Sequence, residues 1–157
     1  LTDARNKQEV IELLVSAFAP SGIPTMLLSE HLPRLEQLAT EASRIITRGR
    51  YEINFSAVDG ELDISVISQN RRRPIHTLST SERIWVALVL QHVVNQLIGN
   101  RVLMIDEAAT LDVDILEGLQ DFLLAPGLPY DNVLICATTE QTDFLERITQ
   151  EVRRVRL

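Results

Sequence analysis

Cys136 is the single cysteine among 157 residues, so no internal disulfide forms and no thiolate cluster holds a metal. It lies in the apolar run Val133-Leu134-Ile135-Cys136-Ala137, which predicts a buried, inert thiol. A reducing, cytoplasmic setting fits. His31, His76 and His92 are scattered without the spacing of metal ligands and read as surface or core residues. Positive charge is also short. Fifteen Lys and Arg against 22 Asp and Glu leave a net charge of −7, which disfavours a broad nucleic-acid-binding face but leaves room for a local basic patch. Lys7 is the only lysine, and no Gly-x-x-x-x-Gly-Lys-[Ser/Thr] loop of the kind that cradles phosphates occurs. No apolar run approaches a bilayer span, no signal-peptide pattern opens the chain, and there is no internal repeat or low-complexity tract. The first residue is Leu1 rather than methionine, the expectation for a processed or excised chain.

What is present fits one domain. A length of 157 residues allows a sizeable core, and 45% hydrophobic with 24% charged residues is ordinary for a globular fold. From Asp3 to Phe18, Val10, Ile11, Leu13, Leu14 and Ala17 crowd one side of a predicted helix, which Pro20-Ser21-Gly22 ends. Pro24 suits the first turn of a second helix, expected to run to Thr47 and stop before Gly49, with Arg44 and Arg48 near its negative end. Pro33 predicts a kink or short break in it. Tyr51, Ile53 and Phe55, then Asp59-Gly60, then Leu62, Ile64 and Val66 predict a β-hairpin over 51–67. Arg71, Arg72 and Arg73 form a basic run before Pro74, either a solvated charge cluster or a small DNA-phosphate contact. A helix from Ser79 to Gly99-Asn100 follows, then a strand, a helix over Val113–Leu124, a Pro126-Gly127/Pro129 loop, and a second strand over Asn132–Thr138. A short helix over Asp143–Thr149 and a last strand over Val152–Leu157 complete the pattern. Strand, helix, strand, helix, strand predicts a parallel α/β sheet with right-handed crossovers.

Two segments carry chemistry. Val102-Leu103-Met104-Ile105 reads as a strand buried on both faces, and it ends in Asp106-Glu107. Two ionised carboxylates there are costly unless a cation or a polarised water meets them, and the carboxyl ends of such strands are where open α/β sheets bind ligands. The pair suits a magnesium nucleotide, with Asp106 on the metal and Glu107 polarising the attacking water. Simple N-capping of a following helix is the alternative. The second segment is Leu78-Ser79-Thr80-Ser81-Glu82-Arg83. Ser79 and Glu82 form a capping box, and the same helix end offers free N–H groups and a positive dipole end to a phosphate.

Leu-Ser-x-x-Glu-Arg at a helix start, an apolar strand ending in Asp-Glu, and Thr110-Leu111-Asp112 together resemble the C-terminal lobe of an ABC-type ATPase head. Within that superfamily the chain is similar to the SMC group and to the DNA-repair ATPases SbcC and its Rad-fifty counterparts. Ala17-Phe18-Ala19-Pro20-Ser21-Gly22-Ile23-Pro24 resembles the junction between a returning coiled coil and the head, and Val152-Arg153-Arg154-Val155-Arg156-Leu157 resembles the last strand of such heads. The resemblance implies one α/β lobe over 1–157, a parallel sheet core with flanking helices plus a β-hairpin. Within it, 1–18 is a coiled-coil stump and 78–157 carries the motifs. Leu78, Ser79, Thr80, Ser81 and Glu82 become the signature motif, which reaches ATP held by a partner head. Asp106 becomes the Walker B aspartate, a Mg2+ ligand, and Glu107 the catalytic glutamate. Leu111 and Asp112 fall in the D-loop, and Thr139, after Thr138, falls at the switch position.

The chain departs from the pattern in three places. Thr80 and Ser81 stand where the signature usually has two glycines, Thr139 stands where many members have histidine, and the Walker A lobe is missing. The resemblance accounts for the last by placing the phosphate loop in an N-terminal lobe, so that this chain is the C-terminal part of a split head, inactive alone. It implies several partners: that N-terminal lobe, a second head in a homodimer, an Mre-type nuclease or kleisin-type protein, and DNA through the full assembly, with no membrane. It implies a cytoplasmic, nucleoid or nuclear location and service in break repair or, failing that, condensation or cohesion. Two rivals stand beside it: a degenerate head that only dimerises or scaffolds, and a transport ABC ATPase, which the acidic chain and the coil-like entry disfavour.

Overall fold

The computed structural model describes residues 2–58 and 61–136, which form an α/β fold with two small sheets packed around one hydrophobic core. Helix α1 spans Thr2–Phe18, and α2 spans Ile23–Ile46 with Pro24 in its first turn. No break occurs at Pro33. A proline costs the helix one backbone bond, and the far half of α2 is held by burial of Ala39, Ala42, Ser43 and Ile46. Arg48 and Gly49 take left-handed backbone, and the Gly49 N–H reaches back to the Arg44 carbonyl at 2.9 Å, which turns the chain into the sheet.

Strands β1 (Glu52–Val58) and β2 (Glu61–Ser68) pair antiparallel with Val58 opposite Glu61, the register that a two-residue connection demands. Asp59 and Gly60 themselves lie outside the described residues. A third strand, β3 (Arg71–Pro74), pairs antiparallel with β2, so the basic run is part of a sheet rather than a loose charge cluster. Gln69 and Asn70 both have positive φ, as a type I′ turn requires. After a 3₁₀ turn over Ile75–Thr77 comes α3 (Thr80–Ile98), closed by Gly99 in the left-handed region at φ 70°. Then follow β4 (Val102–Ile105), α4 (Val113–Leu123) and β5 (Asn132–Ile135), with β4 and β5 parallel. The helix expected over 143–149 and the strand over 152–157 lie outside the described residues.

Two burial expectations are corrected. β4 is covered on one side only: Leu103 is 0% and Ile105 3% exposed, while Met104 between them is 60% exposed. In β5, Val133 and Leu134 are exposed as well. Strand side chains alternate, so helices on one face of β4 bury every second residue, whereas β5 is exposed from Asn132 through Leu134 and does not follow that alternation. Cys136, just past β5, is exposed rather than buried. The exclusion of a membrane span also narrows. The helical stretch Arg5–Ile46 contains a segment of mean hydropathy 1.5, apolar enough by length and composition alone to cross a bilayer. Its exposed apolar residues lie on α1 and the start of α2 (Val10, Leu13, Phe18, Met26), whereas the end of α2 belongs to the core.

The core joins α2, α3 and α4 to the sheets. Trp85 is fully buried and meets the Tyr51 ring at 5.5 Å. Gly118 of α4 lies against the last turn of α2, where an added Cβ would collide with the Ile46 carbonyl oxygen. Arg48 pairs with Glu117 (2.8 Å) and Asp121 (3.1 Å), and Arg50 with Asp114 (2.8 Å), so charges from the chain after α2 flank this close approach on α4. His92 on α3 is buried, with Nδ1 2.8 Å from the Tyr130 hydroxyl and its ring edge-on to Phe122.

Two stability outcomes follow. Gly118→Ala destabilises the fold by about 1–3 kcal/mol or more, because the clash is with backbone that has no rotamer to give; a unchanged urea midpoint would show that the helices separate without cost. Burial holds the His92 imidazole below its ordinary 6.5, with Glu41 opposing more weakly. The unfolded chain therefore takes up this proton first. Stability is intact above pH 6.5 and falls as the pH drops through the lower folded value. His92→Gln flattens that part of a urea-midpoint profile against pH, and an unaltered slope in the variant assigns the loss to other groups.

Candidate functional site at the carboxyl end of the parallel pair

The β4–β5 ladder ends in a tight turn. The Cys136 N–H donates to the Ile105 carbonyl at 2.8 Å, the Ala108 N–H donates to the Cys136 carbonyl at 3.3 Å, and between them the chain reverses through Asp106-Glu107. Asp106 Oδ1 accepts the Glu107 N–H at 2.8 Å. Glu107 itself sits in the left-handed region at φ 53°, ψ 31°. For a residue with a Cβ this costs about 1–2 kcal/mol. It persists because the Thr110 N–H and hydroxyl both donate to the Glu107 carbonyl, each at 2.9 Å. Backbone strain of this kind collects at functional turns.

Both carboxylates are exposed. Apart from Asp106 Oδ1, their oxygens accept no hydrogen bond among the described residues. Asp106 and Glu107 face a groove of about 330 Å³ whose other lining is Ile84, Ala87, Leu88 and Gln91 of α3 with Met104 and Ile105 of β4. The acids thus stand beside an apolar wall at the position where open α/β sheets receive ligands. No cluster of three His, Cys, Asp or Glu that would enclose a metal occurs among the described residues. The donor set is one free aspartate oxygen with a neighbouring glutamate. That suits Mg2+, which keeps several waters and takes few protein ligands beside substrate phosphates.

The start of α3 is held more firmly than a capping box alone would hold it. The Glu82 N–H donates to Ser79 Oγ at 3.3 Å, and the Ser79 N–H donates to Glu82 Oε2 at 2.8 Å. Arg73 of β3 then grips Glu82 with a two-pronged contact, Nη1 to Oε1 at 2.6 Å and Nη2 to Oε2 at 3.0 Å. Arg73 and, after it, the Ser79 backbone hold the Glu82 carboxyl below the usual carboxylate range against the opposing effect of burial. Ser79 and Thr80 are exposed, and Leu78 is buried in the core. Ser81 is buried, and its hydroxyl oxygen accepts the Asp112 N–H at 3.1 Å. The Ser81 side chain therefore turns inward onto the segment that follows Glu107.

Ser81 and Asp112 are thus in direct contact, and Leu78, Ala108 and Leu111 share the buried core beneath them. Asp106 and Glu107 meet the flank of α3 rather than its capped end. Thr138 and Thr139 lie outside the described residues. The basic run divides: Arg72 binds Asp63, Ser56 and Ser65, Arg73 binds Glu82, and Arg71 is exposed. Sequence reasoning missed the Arg73–Glu82 pair and the Ser81–Asp112 bond. The first was foreshadowed by Gln69-Asn70, a turn signal that places Arg73 on a strand opposite Val66. The second has no signal in the sequence.

No family model and no curated protein sequence matches the chain. Solved structures do. A structure from work on ATP-driven dimerisation and DNA-stimulated activation of SMC ATPases superposes with a TM-score of 0.67 at 12% identity, over 85% of this chain and 83% of that one. An Smc head with an extended coiled coil, bound to the C-terminal domain of ScpA derived from Pyrococcus furiosus, gives 0.60 at 12% identity over 79% of this chain. An Smc head bound to the C-terminal winged-helix domain of ScpA gives 0.58 at 13% identity over 74%. The chain spans 32% and 38% of the length of these two heads. It has the α/β fold of part of an SMC ATPase head.

Ser81→Ala leaves the Asp112 N–H without its partner. It lowers stability by about 1 kcal/mol and speeds amide exchange at Asp112. Unchanged exchange at Asp112 would mean the bond does not hold that segment in solution.

Proposed function

We propose that this chain is the C-terminal half of an SMC/SbcC-like ATPase head, supplying a signature helix, a metal-holding aspartate and a catalytic glutamate to ATP-driven head dimerisation. The Asp106-Glu107 turn carries this conclusion: two exposed acids with free oxygens, one on strained backbone, at the carboxyl end of a parallel strand pair. A magnesium-bound triphosphate would supply the electrophilic phosphorus and the charge these acids are placed to meet. Asp106 Oδ2 is the oxygen left to hold the metal, since Oδ1 is occupied by the Glu107 amide. Glu107, unpaired at the groove, is placed to orient a water and take its proton. The exposed Ser79 and Thr80 at the start of α3 meet the partner head's phosphates with the backbone donors of the first turn.

The remaining parts come from elsewhere. With no phosphate loop in the sequence, an N-terminal lobe supplies it. The exposed apolar side chains of Met104 and Leu134, register partners on one face of β4 and β5, support such a lobe, because parallel sheets are normally covered on both faces. The exposed apolar residues of α1 support its place as the stump of a coiled coil. Heads solved with ScpA support a kleisin-type partner. The coil-to-head junction at residues 17–24 favours break repair with an Mre-type nuclease over condensation or cohesion. DNA is reached through the assembly, since Arg72 and Arg73 are committed to internal acids. The setting is then cytoplasmic, nucleoid or nuclear.

A scaffolding head that binds nucleotide without turnover is the second reading. It is favoured by one observation: Ser81 gives its hydroxyl oxygen to Asp112 rather than to the open end of the helix.

An assay separates the two. This chain alone does not hydrolyse ATP, and joined to its N-terminal lobe it does. In the joined head Glu107→Gln leaves ATP binding intact, slows turnover by about 10²–10⁴-fold, the usual worth of a general base, and prolongs the dimer. Strong turnover by the chain alone would overturn the assignment, and equal loss of binding and turnover in the variant would make Glu107 a ligand. Dimerisation without turnover in the unaltered head would decide for the scaffold.

A further inference from the structure

We infer that Arg73 is a positioning residue for the Ser79–Glu82 turn: from the sheet it locks the capping carboxylate and sets where the start of α3 meets a partner head's nucleotide, a role that rests on the function proposed above. Arg73 is anchored before it reaches the site. It lies on β3 in register with Val66, which is fully buried, so its backbone is fixed by sheet pairing. Its guanidinium spans three acceptors: Glu82 Oε1 at 2.6 Å, Glu82 Oε2 at 3.0 Å and the Thr77 carbonyl at 3.2 Å.

The geometry ties the loop before α3 and its first turn to one group. Glu82 Oε2 lies between Arg73 and the Ser79 N–H, so the same oxygen that caps the helix is the one the sheet holds. The Glu82 side chain is only 13% exposed, and a carboxylate that far from water needs a charged partner to stay in place. An ordinary capping box satisfies two backbone donors and still frays with the helix end. A contact to phosphate made across a dimer must be held within about 0.5 Å, which a frayed end does not achieve. With side chains instead of glycine at 80 and 81, this turn has less freedom to adapt on contact, so prior placement matters more. A lysine at 73 would offer a point charge to one oxygen, not the fork that holds both.

The test uses the head completed with its N-terminal lobe. Arg73→Met raises the ATP concentration for half-maximal dimerisation by about tenfold, the usual worth of a charged hydrogen-bonded pair, while turnover at saturating ATP changes by less than about twofold. Amide exchange at Ser79 and Glu82 quickens, and Arg73→Lys recovers part of both effects. Glu82→Gln keeps the cap but loosens the grip, and shifts ATP dependence in the same direction. Combined with Arg73→Met it adds nothing further, as expected of one shared interaction. Additive shifts, or unchanged exchange and ATP dependence in Arg73→Met, overturn the inference. Ser79→Arg, which puts bulk at the nucleotide contact, separates the two levels. If it blocks ATP-dependent dimerisation while Arg73→Met shifts nothing, only the role of Arg73 falls. If it dimerises normally, the proposed function falls and takes the role of Arg73 with it.

Discussion

Helix α3 is apolar nearly all round, and the fold is arranged to bury it. Trp85, Val86, Leu88, Val89 and Val93 are enclosed, and a helix of this kind cannot leave its ends to water alone. Its C-terminus is closed by Gly99 in left-handed backbone, with Asn95 and Asn100 bonded to the Val102 carbonyl and to each other. Its N-terminus is closed by Ser79 and Glu82, with Arg73 holding the glutamate from the sheet. The closing of this helix end therefore also produces a firmly held polar turn, with Ser79 and Thr80 exposed.

The second constraint is local strain. Glu107 adopts backbone that a residue with a Cβ avoids, and two bonds from Thr110 keep it there. A turn that served only to connect β4 to α4 would be easier with glycine at this position. Retaining a glutamate makes sense if its carboxylate is needed at the end of the strand. Downstream, Asp112 caps α4 by position and also donates its N–H to Ser81. The two candidate motifs, far apart in sequence, are thereby joined by a hydrogen bond within a single chain.

Much of this was legible in the residues. Helix limits followed from Pro24, Ser79 and Gly99, which act through the geometry of single residues. The hairpin followed from strict alternation around Asp59-Gly60, and β4 from an unbroken apolar run. Asp106 and Glu107 stood out because ionised acids at a strand end demand a reason. Pro33 does not break α2, since packing of Ala39, Ala42 and Ile46 outweighs one lost helical bond. The basic run was legible only in part: Arg71 and Arg72 are exposed, as a solvated charge cluster is, but a turn folds Arg72 and Arg73 back against Asp63 and Glu82.

Among the described residues the sequence by itself determined most elements and their order, β3 excepted, and which residues have chemistry to offer, because capping, turn geometry and side-chain periodicity act over a few residues. Only the tertiary structure decided partners. That Arg73 meets Glu82, that Ser81 meets Asp112, and that Met104 and Cys136 are exposed all depend on groups distant along the chain. Charge and hydrogen-bonding capacity are properties of a residue, but what satisfies them is settled by what the fold brings within about 3 Å.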